Sequence, residues 1–189
     1  MRNNICLADV HPGYVIDQIR NFPARATGDI SIETESGRRA KEVIGGYRET
    51  LTPGRLFVEN CRFHGFGRIV RTYKPAIQLE GAGLRVAHYL MYDWPSSTMR
   101  IEGNDHIIEY NEVHSAVQES DDQGSMELFM NTTYRGVVFR YNHVHDLGKT
   151  GTETAVHGQA AIRLDDAISG LHLVGNLFVR CANGGFGAV

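Results

Sequence analysis

Apolar and polar residues alternate along this chain in short bursts rather than in helical stripes. Ile77-Gln78-Leu79-Glu80, Met99-Arg100-Ile101-Glu102, Met126-Glu127-Leu128-Phe129 and Ile162-Arg163-Leu164-Asp165 share one pattern. Successive side chains of an extended strand point to opposite faces. The pairs Ile77/Leu79, Met99/Ile101, Met126/Leu128 and Ile162/Leu164 are therefore predicted to point inward. A second string follows most of these strands: an apolar residue, two spacers, an anchor, a spacer and another apolar residue. It reads Ile108-Glu109-Tyr110-Asn111-Glu112-Val113, Phe139-Arg140-Tyr141-Asn142-His143-Val144 and Leu173-Val174-Gly175-Asn176-Leu177-Phe178. Weaker copies run from Val86 to Met91, with Tyr89 as anchor, and from Phe57 to Arg62, with Asn60 as anchor. Phe57, Val86, Ile108, Phe139 and Leu173 then form one apolar column.

The anchors lie 29, 22, 31 and 34 residues apart. Self-similarity at such a period is the mark of a stacked repeat architecture. The shortest spacing suits one coil of a parallel β-helix, and the longer ones suit coils with loop insertions. Gly81-Ala82-Gly83, Gly103-Asn104-Asp105 and 167–170 are predicted corners, where Gly and Asn supply positive φ. The recurring Asn is predicted to bond the backbone of adjacent coils, satisfying polar groups that stacking buries. The leucine periodicity of leucine-rich repeats is absent.

The repeat resembles the right-handed β-helix proteins of the pectate-lyase-like superfamily over roughly residues 54–189. The expected fold is thus all-β: a right-handed parallel β-helix solenoid of about five coils. Residues 1–53 are expected to be an irregular segment on or beside it. Within that segment Tyr14 to Ile19 suits a short helix, Asp29 to Glu33 alternates like a strand, and Arg39 to Ile44 suits a weak helical turn. Asn183 to Val189 reads as the start of another coil. This suggests a fragment of a longer helix, or a chain that self-associates end to end through an uncapped coil.

Composition narrows the partners. With 189 residues and 42% apolar content, one domain with a sizeable core is expected. A net charge of −3 provides no basic footprint for nucleic acid. No apolar run reaches the ~18 residues of a membrane span. Residues 1–10 do not form a secretion signal; an extracellular or periplasmic location would require one elsewhere in a longer protein. Cys6, Cys61 and Cys181 have no metal spacing and read as buried free thiols.

The outward column Gln78, Arg100, Glu127, Arg163 runs beside Glu80, Glu102, Phe129, Asp165. Parallel strands ~4.8 Å apart turn these into two ladders. Mixed Arg and carboxylate on an open sheet face suits a sugar groove; it equally suits a solvated face with cross-strand pairs such as Arg100 with Glu127. Two acidic pairs, Asp121-Asp122 and Asp165-Asp166, fall beside neighbouring strands of this face. Paired carboxylates are the minimum equipment for glycoside hydrolysis. Calcium binding and turn capping are the competing uses. His114 and His145 occupy equivalent places and are expected to stack. His143 and His172 are expected to face solvent. His157, with Glu153, lies in a Gly/Thr-rich loop that could wall the groove. No His-x-x-x-His or similar spacing argues for zinc, and no metal site is expected.

The run Glu119-Ser-Asp-Asp-Gln-Gly124, the strand after it, Arg135-Gly-Val-Val-Phe-Arg-Tyr-Asn-His-Val-His-Asp146 and Ile162-Arg-Leu-Asp-Asp-Ala-Ile-Ser-Gly170 resembles a group of bacterial β-helix glycoside hydrolases that includes α-L-fucosidases and xylanases. Two aspartates on separate coils carry catalysis in that group. The resemblance implies Asp122 (or Asp121) and Asp165 (or Asp166) as the catalytic pair. The ladder and the loop add Glu127, Arg163, Arg100, Glu102, Phe129 and His157 as expected substrate-binding residues, with a poly- or oligosaccharide as partner. The chain departs from the group at Gln123, where Gly is usual, and at Glu127, where an aromatic is usual. Two other readings stand beside hydrolysis. One is a polysaccharide lyase with calcium on the aspartates and Arg100 or Arg163 as base. The other is a non-catalytic carbohydrate-binding or structural β-helix. Only the lyase reading calls for a cofactor.

Overall fold

A computed structural model describes residues 4–5, 28–33, 39–40, 57–65, 67, 69–129, 131–148, 159–181 and 186–188. Among them there is no helix, and the strands form three sheets. The first sheet contains β1 (Asn4–Ile5), β4 (Phe57–Glu59), β7 (Arg85–Ala87), β10 (Ile107–Glu109), β13 (Val138–Arg140) and β16 (His172–Val174), in that order. The second runs β5 (Arg62–His64), β8 (Leu90–Tyr92), β11 (Glu112–His114), β14 (His143–Leu147), β17 (Leu177–Cys181). The third contains β2 (Gly28–Glu33), β3 (Arg39–Ala40), β6 (Ile77–Ala82), β9 (Met99–Asn104), β12 (Gly124–Leu128), β15 (Ala160–Leu164) and β18 (Phe186–Ala188). From β4 onward the chain visits the sheets in rotation, and each strand pairs in parallel with its counterpart one round later. The architecture is all-β and compatible with a parallel β-helix.

The inward rows lie where the alternation put them. Ile77, Leu79, Met99, Ile101, Met126, Leu128 and Ile162 are fully buried, as are Val86, Ile108 and Phe139 of the first sheet and Phe63, Met91, Val113 and Val144 of the second. Leu173 is the exception at 40% exposed, because no described strand lies beyond β16 to cover it. Cys61 and Cys181 are buried free thiols; Cys6 lies outside the described residues.

The Asn column is a hydrogen-bonded ladder. Asn142 Oδ1 accepts from the Asn111 amide (3.1 Å) and Asn111 Nδ2 (3.0 Å), while Asn142 Nδ2 donates to Ile108 O (3.0 Å) and Asn176 Oδ1 (2.9 Å). Asn176 repeats the pattern onto Asn142 and Phe139 O, and Asn111 Oδ1 accepts from the Tyr89 amide. Only a side chain with both an acceptor and two donors can do this at every step.

The first copy of the repeat is in a different register from the one expected. Val58, not Phe57, pairs with Val86, which makes Cys61 rather than Asn60 the counterpart of Tyr89. Leu90 N donates to Cys61 O just as Glu112 N donates to Tyr89 O. Asn60 instead belongs to the corner column Asn60, His88, Tyr110, Tyr141, Gly175, whose φ values all lie between 54 and 62°. This left-handed conformation is costly for most side chains. Ring stacking of His88 on Tyr110 (5.1 Å) and Tyr110 on Tyr141 (5.2 Å) offsets part of the cost. Gly175 ends the stack because a Cβ there would lie 2.6 Å from the Tyr141 ring.

In the N-terminal segment Gly28–Glu33 is a strand, in line with the alternation of Asp29 to Glu33, and it runs antiparallel to β6. Arg39–Ala40 is a short strand antiparallel to β2 rather than the start of the expected helical turn. Pairing along an open edge satisfies backbone groups that a lone turn would leave unpaired. The helix expected at Tyr14 to Ile19 lies outside the described residues.

Two buried polar groups support the stack. Glu109 bridges Arg85 Nε and Arg140 Nε, each at 2.6 Å. Burial would raise its pKa, but the two guanidiniums hold it below the ordinary value. His106 is fully buried; its Nδ1 accepts from the Leu84 amide (3.1 Å) and its Nε2 lies 3.1 Å from Glu102 O. Burial lowers its pKa to about 4. The unfolded chain therefore binds a proton at this site from about pH 6.5 downward and the fold does not, so the His106 contribution to stability is complete above that pH and is lost as pH falls toward 4. An NMR titration of the ring is expected to show no protonation until near pH 4; a midpoint near 6.5 would contradict the buried neutral tautomer.

Candidate functional site

The outward face of the third sheet gathers most of the expected site residues. Register places Gln78 beside Arg100, Arg100 beside Glu127, and Glu127 beside Arg163. Alternation dictates this row, since the residues flanking each member point into the core. Asp122, Glu127, Phe129, Arg163 and Asp165, with Tyr73, line an open pocket of about 50 Å³. The pocket opens onto the sheet face, so a ligand longer than it would lie across that face.

Arg163 is the floor of the pocket, its side chain only 4% exposed. Its Nη2 lies 2.6 Å from Asp122 Oδ1 and 3.0 Å from Asp165 Oδ2. The aspartates are 46% and 32% exposed, so both carboxylates present themselves to solvent above a buried cation. Sharing one nitrogen, they can stand no farther apart than the two contacts laid end to end. The loop before β12 reaches this point through Asp122 in the left-handed region (φ 60°). Gly124 permits the close approach, since a Cβ there would lie 2.6 Å from Arg163 Cβ.

Glu127 is buried, 4% exposed, between Arg100 and Arg163 in the row. Burial raises its pKa to about 7; the Ser97 hydroxyl, the Gly124 backbone and the two guanidiniums oppose the shift without cancelling it. A carboxyl group so placed can hold a proton near neutrality beside two carboxylates that are ion-paired. Environments of this divergent kind separate acid from base.

The other expected residues divide. Arg100 lies 4.0 Å over the Phe129 ring and pairs with Glu102 (2.6 Å), which also accepts from Gln78 Nε2 (3.1 Å). Arg100 and Glu102 thus border the pocket without lining it, ion-paired to each other. Asp121 and Asp166 are exposed and outside the lining; the Asp166 amide donates to Asp165 Oδ1 (3.0 Å), which orients Asp165. His157 and Glu153 lie outside the described residues. Tyr73 was not foreseen. It sits at φ 51° in the segment before β6, and burial followed by the charges of Asp122 and Glu127 pushes its hydroxyl pKa up. No periodicity marks that segment, so no pattern pointed to it.

On the second sheet, His64, Tyr92, His114 and His145 stack in a column of rings 5.0–5.1 Å apart, including the expected His114–His145 pair. Comparison of the chain with protein-family models, with curated proteins and with solved structures gave no match.

Proposed function

We propose that this chain is a carbohydrate-active protein built as a right-handed parallel β-helix of the pectate-lyase-like kind, and that it cleaves glycosidic bonds on the face of its third sheet. The observation carrying this reading is the convergence of Asp122, Asp165 and Glu127 around Arg163 in one open pocket. Glu127, buried and titrating near 7, suits a general acid that gives its proton to the leaving oxygen as the C–O bond breaks. Asp122 and Asp165, exposed and fixed by one guanidinium, suit the group that attacks the anomeric carbon or takes the proton of an attacking water. The shared contact to Arg163 holds Asp122 and Asp165 close together; two-carboxylate glycosidases place acid and nucleophile or base ~5–9.5 Å apart, the spacing that the Glu127 role requires. Phe129 and Tyr73 supply rings for sugar faces.

Asp165→Asn is expected to lower cleavage of a plant or bacterial polysaccharide by ~100-fold or more, with the folded circular-dichroism spectrum kept. Cleavage near the wild-type rate would sink the assignment. Release of reducing ends supports hydrolysis, whereas an unsaturated, ultraviolet-absorbing product would select a lyase. The lyase reading asks Arg100 or Arg163 to serve as base, and the ion pairs of Arg100 to Glu102 and of Arg163 to both aspartates oppose that role. Binding of glycan without turnover in the wild type would select the non-catalytic reading.

A further inference from the structure

The outward face of the second sheet carries a cluster that hydrolysis does not use. β11 and β14 pair in parallel with Glu112 opposite His143 and His114 opposite His145. His143 and His145 flank the fully buried Val144, so strand alternation sends both rings outward on the same side. Their ring centroids are 4.3 Å apart. One nitrogen of each ring and a carboxylate oxygen of Glu112 all lie within 4.8 Å of one another.

The protonation logic of His145 singles this cluster out. Its Nδ1 lies 2.7 Å from Asp146 Oδ2, and Asp146 is held in turn by Arg180 Nη2 at 2.8 Å. A proton on Nδ1, toward the nearer carboxylate, leaves the lone pair on Nε2. In that tautomer the Nε2 lone pair faces Glu112 Oε1 at 3.3 Å. Two acceptors at that distance repel unless a positive charge lies between them. A second proton on the ring would do this, and so would a metal ion. Two ligand atoms each ~2.0–2.1 Å from a tetrahedral zinc ion stand roughly 3.4 Å apart, so the His145–Glu112 spacing needs almost no change to accept one. His143, partly buried, has a ring nitrogen within 4.8 Å of the other two ligand atoms and would complete three ligands. A carboxylate behind a ligating imidazole is also the arrangement that raises ligand basicity and orients the ring.

We propose that Glu112, His143 and His145 bind a zinc ion, with Asp146 as the residue that positions His145 and solvent as the fourth ligand. Imidazole and carboxylate together suit zinc better than calcium or magnesium, which prefer all-oxygen shells. The site lies on the second sheet and does not depend on the carbohydrate reading.

Calorimetric titration of the full chain with zinc chloride alone is expected to show one equivalent bound. His143→Ala and Glu112→Gln, both on the outer face, are each expected to weaken it by ~100-fold or more, and Asp146→Asn by ~10–100-fold with the stoichiometry kept. Should a variant fail to fold, NMR of the wild type decides instead: zinc is expected to shift the imidazole signals of His143 and His145 and to leave those of His64 in place. Absence of zinc binding by the wild type, binding unchanged in the folded variants, or shifts confined to other histidines would each overturn the proposal.

Discussion

Glu127→Gln is expected to cut glycan cleavage by ~100-fold or more and, at the same time, to make the protein more stable at pH 8. The two effects share one cause. Burial raises the Glu127 pKa from 4.5 to about 7. Because the folded value lies above the unfolded one, the protonated carboxyl contributes stability that is fully present below about pH 4.5 and is lost as pH rises through about 7. Above that pH the wild type keeps a desolvated charge that Gln does not have. At ~1.4 kcal/mol per pKa unit the cost is on the order of 3 kcal/mol. Urea unfolding at pH 8 and pH 5 checks the sign: the variant should gain at pH 8 and lose that advantage at pH 5. Comparing variant with wild type at each pH removes the opposing contribution of His106, which weakens the fold on acidification. A general acid contributes ~10²–10⁴ to rate, and wild-type activity should fall as pH rises through about 7. A variant that keeps full activity, or one that is less stable than wild type at pH 8, would remove Glu127 from the acid role.

Asn142→Ala is expected to cost ~3–5 kcal/mol of stability. Asn142 makes four ladder hydrogen bonds and is buried. Truncation leaves the Asn111 amide and side chain, Ile108 O and Asn176 Oδ1 without those contacts inside a region closed to water. Each buried group so orphaned costs ~1–3 kcal/mol, and local relaxation recovers part of the total. Asn176→Ala should cost less, because Asn176 lies at the more accessible end of the described ladder. Chemical denaturation of the two variants checks the order. Equal, small losses below ~1 kcal/mol would mean that the column is an ordinary series of turns, with no energetic coupling between rounds.

Much of the candidate groove was legible in the sequence because it obeys a period of two. Once Met126 and Leu128 point inward, Glu127 must point outward, and Arg100 and Arg163 must do the same on neighbouring strands. Legibility ended where the period ended. Asp121 and Asp122 are adjacent in sequence, yet it is Asp122 that lines the pocket beside Arg163, since a left-handed residue and Gly124 bend the loop over the sheet face. Tyr73 enters from a segment with no alternation. The slip from Cys61 to Asn60 has a similar origin. Asn suits a left-handed corner as well as a ladder, so its identity did not say which of two adjacent places it filled.

Roles followed the same division. Glu127 looked like one more polar residue for holding sugar hydroxyls; its raised pKa comes from burial between two rounds of the chain. The Glu112, His143 and His145 cluster was invisible to spacing rules because its ligands lie on two strands, with Glu112 opposite His143 only through the register of β11 and β14. The sequence by itself determined which residues form strands, which of their faces is apolar and that the rounds repeat, because alternation and recurrence are local properties that burial imposes on every turn. Which carboxylates share a cation, which one is desolvated and which carboxylates face the two nitrogens of His145 came from the tertiary structure, because those depend on distances between residues that are remote along the chain and neighbours only after the rounds have stacked.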